Sequence, residues 1–165
     1  MNTRKIAVSG VLAALVFVAT FFVRFPIPAT EGYVNLGDAV ILVCAFVLGP
    51  FAAIPAAIGS AMGDLIAGYA HYIIPTLVIK GTMGFTAGVI LRNHKKAPFR
   101  VLAFVAAELI MVGGYFLFES LPFMYGVPVA LTSVPFNAIQ GLTAIVVAFP
   151  LSYVKFFNKN DNISA

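Results

Sequence analysis

Apolar positions dominate the chain in six long runs, broken by short polar, proline or glycine segments. The runs predict helices over 3–25, 36–48, 51–67, 75–91, 99–120 and 130–157. A helix needs about twenty apolar residues to cross the hydrocarbon of a bilayer, and only 36–48 is clearly short for that. Pro26 and Pro28 stop the first helix, and Gly49-Pro50 makes a tight turn after the second. Pro75 suits the first turn of the fourth helix. Pro122, Gly126 and Pro128 mark the loop 121–129, and Pro135 and Pro150 are places where the last helix can bend. The polar tail 158–165 is expected to fray. There is no internal repeat, so the expectation is a single six-helix membrane domain over 1–165.

Composition turns that pattern into a class. Residues are 61% hydrophobic and only 10% charged, against about 25% charged in a soluble domain. The chain is read as an all-α integral membrane protein. Arg4 and Lys5 precede the first apolar run as in a signal peptide, but the run is long enough to span. No small-x-small cleavage pattern follows at 24–28, so the first helix is expected to be retained. Cys44 stands alone inside an apolar run, which leaves no disulfide or metal set.

Charge then fixes an orientation. Arg4, Lys5, Arg92, Lys95, Lys96, Arg100, Lys155 and Lys159 fall on one side of a six-span arrangement, and Arg24 alone on the other. By the positive-inside rule both termini are cytoplasmic. The net charge of +4 is this bias and does not indicate nucleic acid.

The same orientation places nearly every intramembrane polar residue in the outer half. Asp38 begins the second helix there, Asp64 ends the third, and Lys80 lies in the outer half of the fourth. Glu108, Tyr115 and Glu119 are spaced seven and four residues apart. At about 100° per residue those steps return to one face of the fifth helix. Asn137 and Gln140 share a face of the sixth. A carboxylate within hydrocarbon is costly and marks a functional site by default. The two faces are expected to look at each other across an outward-open cavity. Structural alternatives stand beside that reading. Asp64 and Lys80 can form a salt bridge, Glu108 can be protonated and bonded to a neighbouring helix, Glu119 can reach the interface, and Asn137 and Gln140 can tie helices together. Tyr33, Tyr69, Tyr72, Tyr125 and His71 lie near the outer boundary, where tyrosine is enriched anyway.

On the first helix, Ser9/Ala13 and Gly10/Ala14 are small-xxx-small pairs, which permit close helix approach. The third helix is richer still in alanine and glycine, as suits a tightly packed internal helix or one that slides against a partner. The chain has no phosphate-cradling G-x-x-x-x-G-K-[ST] loop, no H-E-x-x-H and no G-x-S-x-G, so ATP hydrolysis, metalloprotease and serine-hydrolase chemistry have no support.

Several stretches together resemble a known family: Gly32-Tyr33-Val34-Asn35-Leu36-Gly37-Asp38-Ala39, Leu48-Gly49-Pro50, Ile58-Gly59-Ser60-Ala61-Met62-Gly63-Asp64-Leu65 and Ile79-Lys80-Gly81. Gly114-Tyr115-Phe116-Leu117-Phe118-Glu119 and Pro135-Phe136-Asn137-Ala138-Ile139-Gln140-Gly141 complete the set. The chain is similar to the substrate-binding (S) components of energy-coupling factor (ECF) transporters, the prokaryotic vitamin importers, and to the riboflavin-type group among them. The resemblance implies an outward pocket for a water-soluble vitamin, roofed by the loop between the first two helices, with helices four to six supplying most contacts. It implies a residence in the prokaryotic cytoplasmic membrane, with Ser9, Gly10, Ala13 and Ala14 docking on a transmembrane coupling protein. Two cytoplasmic ATPases drive that protein, so the chain itself uses no cofactor.

The expected function is therefore non-enzymatic, high-affinity capture of a vitamin or precursor. Tyr33, Asn35, Asp64, Lys80, Glu108, Tyr115, Glu119, Asn137 and Gln140 are the expected contacts. A planar, hydroxylated or amino-substituted heterocycle fits them: pyridoxine, hydroxymethylpyrimidine or, as a competitor, riboflavin. The alternative is a self-sufficient small transporter or channel that uses Asp64, Glu108 or Lys80 as a proton relay.

Overall fold

At the centre of the bundle is its shortest helix. α2 (Gly37–Leu48) is buried at every residue except Val40, which is partly exposed. It is enclosed by α1 (Thr3–Phe22), α4 (Ile73–Asn93) and α6 (Gly126–Leu151). The computed structural model describes residues 3–28, 30 and 32–154. The expected tail 158–165, the last residues of the expected sixth helix, and Lys155 and Lys159 lie outside them.

The internal position belongs to α2 and not to the helix richest in small residues. α3 (Ala53–Ala67) turns Ile54, Ile58, Met62, Leu65 and Ile66 outward. Its alanines and glycines face α1 and α4, where they let the backbones approach. A Cβ at Gly59 would fall 2.5 Å from the Ala13 carbonyl oxygen of α1. Between lipid-like surfaces the gain is van der Waals packing, because apolar burial has no water to escape from.

α2 and α3 are joined by a single 3-10 turn, Gly49–Ala52, where Gly49 has a φ of 59°. Gly88 of α4 packs on this turn, and a methyl group there would lie 2.6 Å from the Pro50 nitrogen. Because that neighbour is backbone, Gly88→Ala is expected to cost roughly 1–3 kcal/mol. A lowered thermal unfolding midpoint in detergent would show it; an unchanged midpoint would refute this close approach.

Two short strands replace the plain loop expected between the first two helices. β1 (Arg24–Pro26) pairs antiparallel with β2 (Tyr33–Asn35), with Arg24 opposite Asn35 and Pro26 opposite Tyr33. The first helix ends at Phe22 and not at 25, because a residue before proline is pushed out of the α region. α4 is preceded by a second 3-10 turn, Ala70–Tyr72, and α6 starts at Gly126, earlier than expected, with Pro128 tolerated in its first turn. Pro135 and Pro150 both lie inside α6, which ends at Leu151. α5 (Ala97–Glu119) completes the bundle between α4 and α6.

Among the described residues, five helical runs are long and apolar enough to cross a membrane: Thr3–Phe22, Gly37–Ala67, Ala70–Asn93, Ala97–Glu119 and Gly126–Leu151. The second of these contains both α2 and α3. It folds back on itself, since Asp38 near its start and Asp64 near its end reach the same polar region. At the other end of the bundle Arg100 closes the α5–α6 pair. Its guanidinium donates to the Lys95 carbonyl at 2.6 Å and to the Ser152 carbonyl at 2.8 Å, and stacks 4.2 Å from the centre of the Tyr153 ring.

Candidate functional site

The polar side chains of five helices and the hairpin converge on one cavity of about 430 Å³, its mouth included. Tyr33 and Asn35 come from β2, Asp64 from α3, Lys80 from α4, Tyr115 and Glu119 from α5, and Asn137 and Gln140 from α6; all line it. Of the residues expected at the site, Glu108 alone is not in the lining. It is buried beside Gly141 of α6, with neither carboxylate oxygen bonded among the described residues. The spacing that put Glu108 on the Tyr115 face holds, but Glu108 is two helical turns deeper than Tyr115 and falls behind the cavity.

The charge pairing differs from the expectation. Lys80 is bonded to Asp38 and not to Asp64. Both partners are almost completely buried, at 2% and 0% side-chain exposure. The remaining Asp38 oxygen accepts from the Gln140 amide at 2.5 Å. A carboxylate at the first turn of α2 thus does more than favour the helix dipole: it anchors α4 and α6 to the central helix. The Lys80 ammonium also lies 5.3 Å from the Tyr115 ring centre, within cation–π range.

Asp64 has another partner. The Tyr33 hydroxyl donates to its Oδ1 at 2.6 Å, pinning the hairpin to α3. Burial and then the neighbouring Asp64 charge raise the Tyr33 phenol well above its ordinary range, so it stays protonated and remains the donor. The hairpin is held at two further points. The Asn35 N–H donates to Gln140 Oε1 at 2.6 Å, and the Tyr72 hydroxyl lies 3.0 Å from the Thr30 carbonyl. The segment between α1 and α2 is therefore bonded down over the cavity by α3, α6 and the turn before α4.

Glu119 holds the rim. It accepts from Tyr72 at 2.9 Å and from Ser133 of α6. Tyr115 shares a 3.0 Å hydrogen bond with Thr76. Asn137 is different: it is buried and lines the cavity, yet it has no hydrogen-bond partner among the described residues. Its amide offers one acceptor and two donor hydrogens.

Asp38, Tyr72, Thr76 and Ser133 were not legible as site residues. Asp38 looked like a dipole carboxylate, and Tyr72 like an interfacial ring. The packing of α2 under α4 and α6 reveals Asp38, and bonds to Glu119 and Tyr115 of α5 reveal the other three. Of the other boundary residues, His71 bonds Tyr125 at 3.2 Å at the exposed rim, and the Tyr69 ring packs at a tilt against Tyr33, 4.9 Å between centres.

On α1, Gly10 and Ala14 face outward, and the Cβ position of Gly10 has no atom within 4 Å. Ser9 and Ala13 are half-buried; the Ala13 carbonyl meets Gly59. The two small-xxx-small pairs thus point in different directions, one open and one used within the chain.

A family model described as ECF-type riboflavin transporter, S component, matches residues 1–155. The chain belongs to this family. S components bind small vitamins in the membrane and work with the subunits of an ECF module; they are transporter components, not enzymes. The chain is 33% identical over 153 residues to the thiamine precursor transporter HmpT of Lactococcus lactis subsp. cremoris (strain MG1363), covering 92% of this chain and 87% of that one. It is also 34% identical over 140 residues to an uncharacterized protein in the gap 3′ region of Pyrococcus woesei, covering 84% of this chain and 93% of the other.

Proposed function

We propose that this S component captures a small amino- or hydroxyl-substituted heterocycle, a thiamine-precursor pyrimidine before pyridoxine or riboflavin. The observation that carries the reading is the roofed cavity in which Asn137 presents an amide with no hydrogen-bond partner among the described residues. A planar ring with donors and acceptors on one edge matches that amide, and Tyr115 offers a face to it. The relation to a thiamine precursor transporter supports the same substrate class.

In this reading the chain crosses the prokaryotic cytoplasmic membrane six times, both termini are cytoplasmic, and the cavity opens outward. The hairpin between α1 and α2 is the lid. The chain holds no cofactor, and ATP is spent by two ATPases acting through a transmembrane coupling protein. The open Gly10/Ala14 side of α1 is the docking face. Gly10→Leu is then expected to leave substrate affinity unchanged and to abolish uptake in cells, because the side chain projects where a helix must approach. Normal uptake by this variant would remove the docking assignment.

Mass spectrometry of small molecules that co-purify with the detergent-solubilised chain, followed by titration of the best candidate, tests the whole reading. A stoichiometric pyrimidine or related vitamin with nanomolar affinity is expected. A second reading, a self-sufficient transporter with a proton relay, draws on the unbonded carboxylate of Glu108 beside the Asp38–Lys80 pair. It predicts solute accumulation in liposomes that contain this chain alone, where the proposed function predicts binding without accumulation.

A further inference from the structure

One wall of the cavity, where α1 meets α3, carries buried polar groups left unpaired among the described residues. Thr20 Oγ1, Ser60 Oγ and Asp64 Oδ2 are buried and have no partner among the described residues. All three residues line the cavity, and each is more than nine-tenths buried. Ser60 and Asp64 are one turn apart on α3, on the same face. α1 crosses α3 at this level. A Cβ at Gly63 would lie 2.7 Å from Thr20 Cγ2 and 3.7 Å from the Tyr33 hydroxyl, so the Thr20 methyl stands beside the Tyr33–Asp64 bond while its hydroxyl is turned toward Gly37.

The groups that surround this wall are already engaged. Tyr33 donates to the other Asp64 oxygen. The Thr76 hydroxyl is bonded to the Tyr115 phenol, and Asn35 Oδ1 accepts from the Gly37 N–H at 2.8 Å. Lys80, the cation of the cavity lining, is bonded to Asp38. What Asp64 Oδ2 can still receive is hydrogen, because an ionised carboxylate only accepts, whereas the Ser60 and Thr20 hydroxyls can accept or donate.

We infer that the α1–α3 wall is the subsite for a ring amino group of the substrate. Such a group carries two coplanar N–H bonds. One is directed to Asp64 Oδ2 and the other to the Ser60 or Thr20 hydroxyl, leaving the opposite edge of the ring to Asn137. This rests on the proposed function and sharpens it: an aminated heterocycle is required, and a ring bearing oxygen at that place is rejected. Rejection follows because an oxo group would set its lone pairs against the Asp64 carboxylate and leave Oδ2 without a donor.

The test is calorimetric titration of the purified full chain with two probes: hydroxymethylpyrimidine carrying its ring amino group, and the analogue with oxygen in its place. Each is titrated in sodium chloride and in choline chloride. The wild type is expected to bind the amino compound at least about 100-fold more tightly in either salt. Asp64→Asn keeps an acceptor for Tyr33 but presents an amide, so discrimination should collapse to within about tenfold, mainly through loss of affinity for the amino compound. Ser60→Ala should weaken the amino compound about tenfold and leave the oxo analogue unchanged. If Asp64→Asn does not fold, Ser60→Ala and Thr20→Val carry the test, and unchanged affinity in both overturns the subsite. Equal binding of the two probes by the wild type overturns the subsite while leaving the proposed function in place. Binding of neither overturns both. Sodium-dependent binding that loses its sodium requirement in Asp64→Asn would assign the oxygens to a monovalent cation, and would also overturn the inference.

Discussion

Replacing Lys80 by methionine should destabilise the folded chain by roughly 3–5 kcal/mol, the cost of leaving a buried carboxylate without its counter-charge. The size follows from where Asp38 sits. It is fully buried at the start of the central helix, and its other partner among the described residues, the Gln140 amide, is neutral. Unfolding of the detergent-solubilised protein in a denaturing co-detergent would measure the loss. The double variant Asp38→Asn/Lys80→Met removes both charges and should recover at least half of it, because a neutral pair in an apolar setting carries no desolvation penalty of this kind. A single variant as stable as the wild type would show that the ion pair is not what holds α4 to α2.

Asn137→Ala should act in the opposite way, on binding and not on folding. Its amide has no hydrogen-bond partner among the described residues, so truncation leaves none of them unsatisfied. Two hydrogen bonds to the substrate would be lost, at about 1 kcal/mol each, for a fall in affinity of about 10- to 100-fold. Glu119→Ala is a less clean experiment, since it also frees Tyr72 and Ser133 at the rim. An Asn137→Ala protein with wild-type affinity for its co-purifying ligand would remove the residue from the site.

The sequence carried much of this. Helix-period spacing put Tyr115 and Glu119 on one face and Asn137 with Gln140 on another, and they do meet across a cavity. The pairing of charges was not legible. Asp38 and Asp64 both lie at the same end of the bundle as Lys80, and depth alone does not choose between them. The choice is made by α2 occupying the middle, which follows from small residues at Gly84 and Gly88 of α4 and at the Gly49–Ala52 turn. Glu108 shows the converse limit: periodicity gives the direction of a side chain but not the depth at which a cavity ends. The hairpin was hidden because three-residue strands have no periodicity of their own, and only the proline at 26 hinted that the helix must stop before it.

The burial of α2 has a consequence for how the chain is made. A helix enclosed on nearly all sides has almost no surface suited to lipid, and this one carries a carboxylate in its first turn. As synthesis proceeds, the counter-charge for Asp38 arrives 42 residues later, and the Gln140 amide 102 residues later. Of the three enclosing helices, Gly126–Leu151 is translated after the other two. Insertion one helix at a time would strand Asp38 in hydrocarbon. Biogenesis must therefore hold the early segments at the membrane surface or in an insertase until α4 and α6 have emerged, and a ribosome stalled before residue 126 should leave a product that quality-control proteases remove.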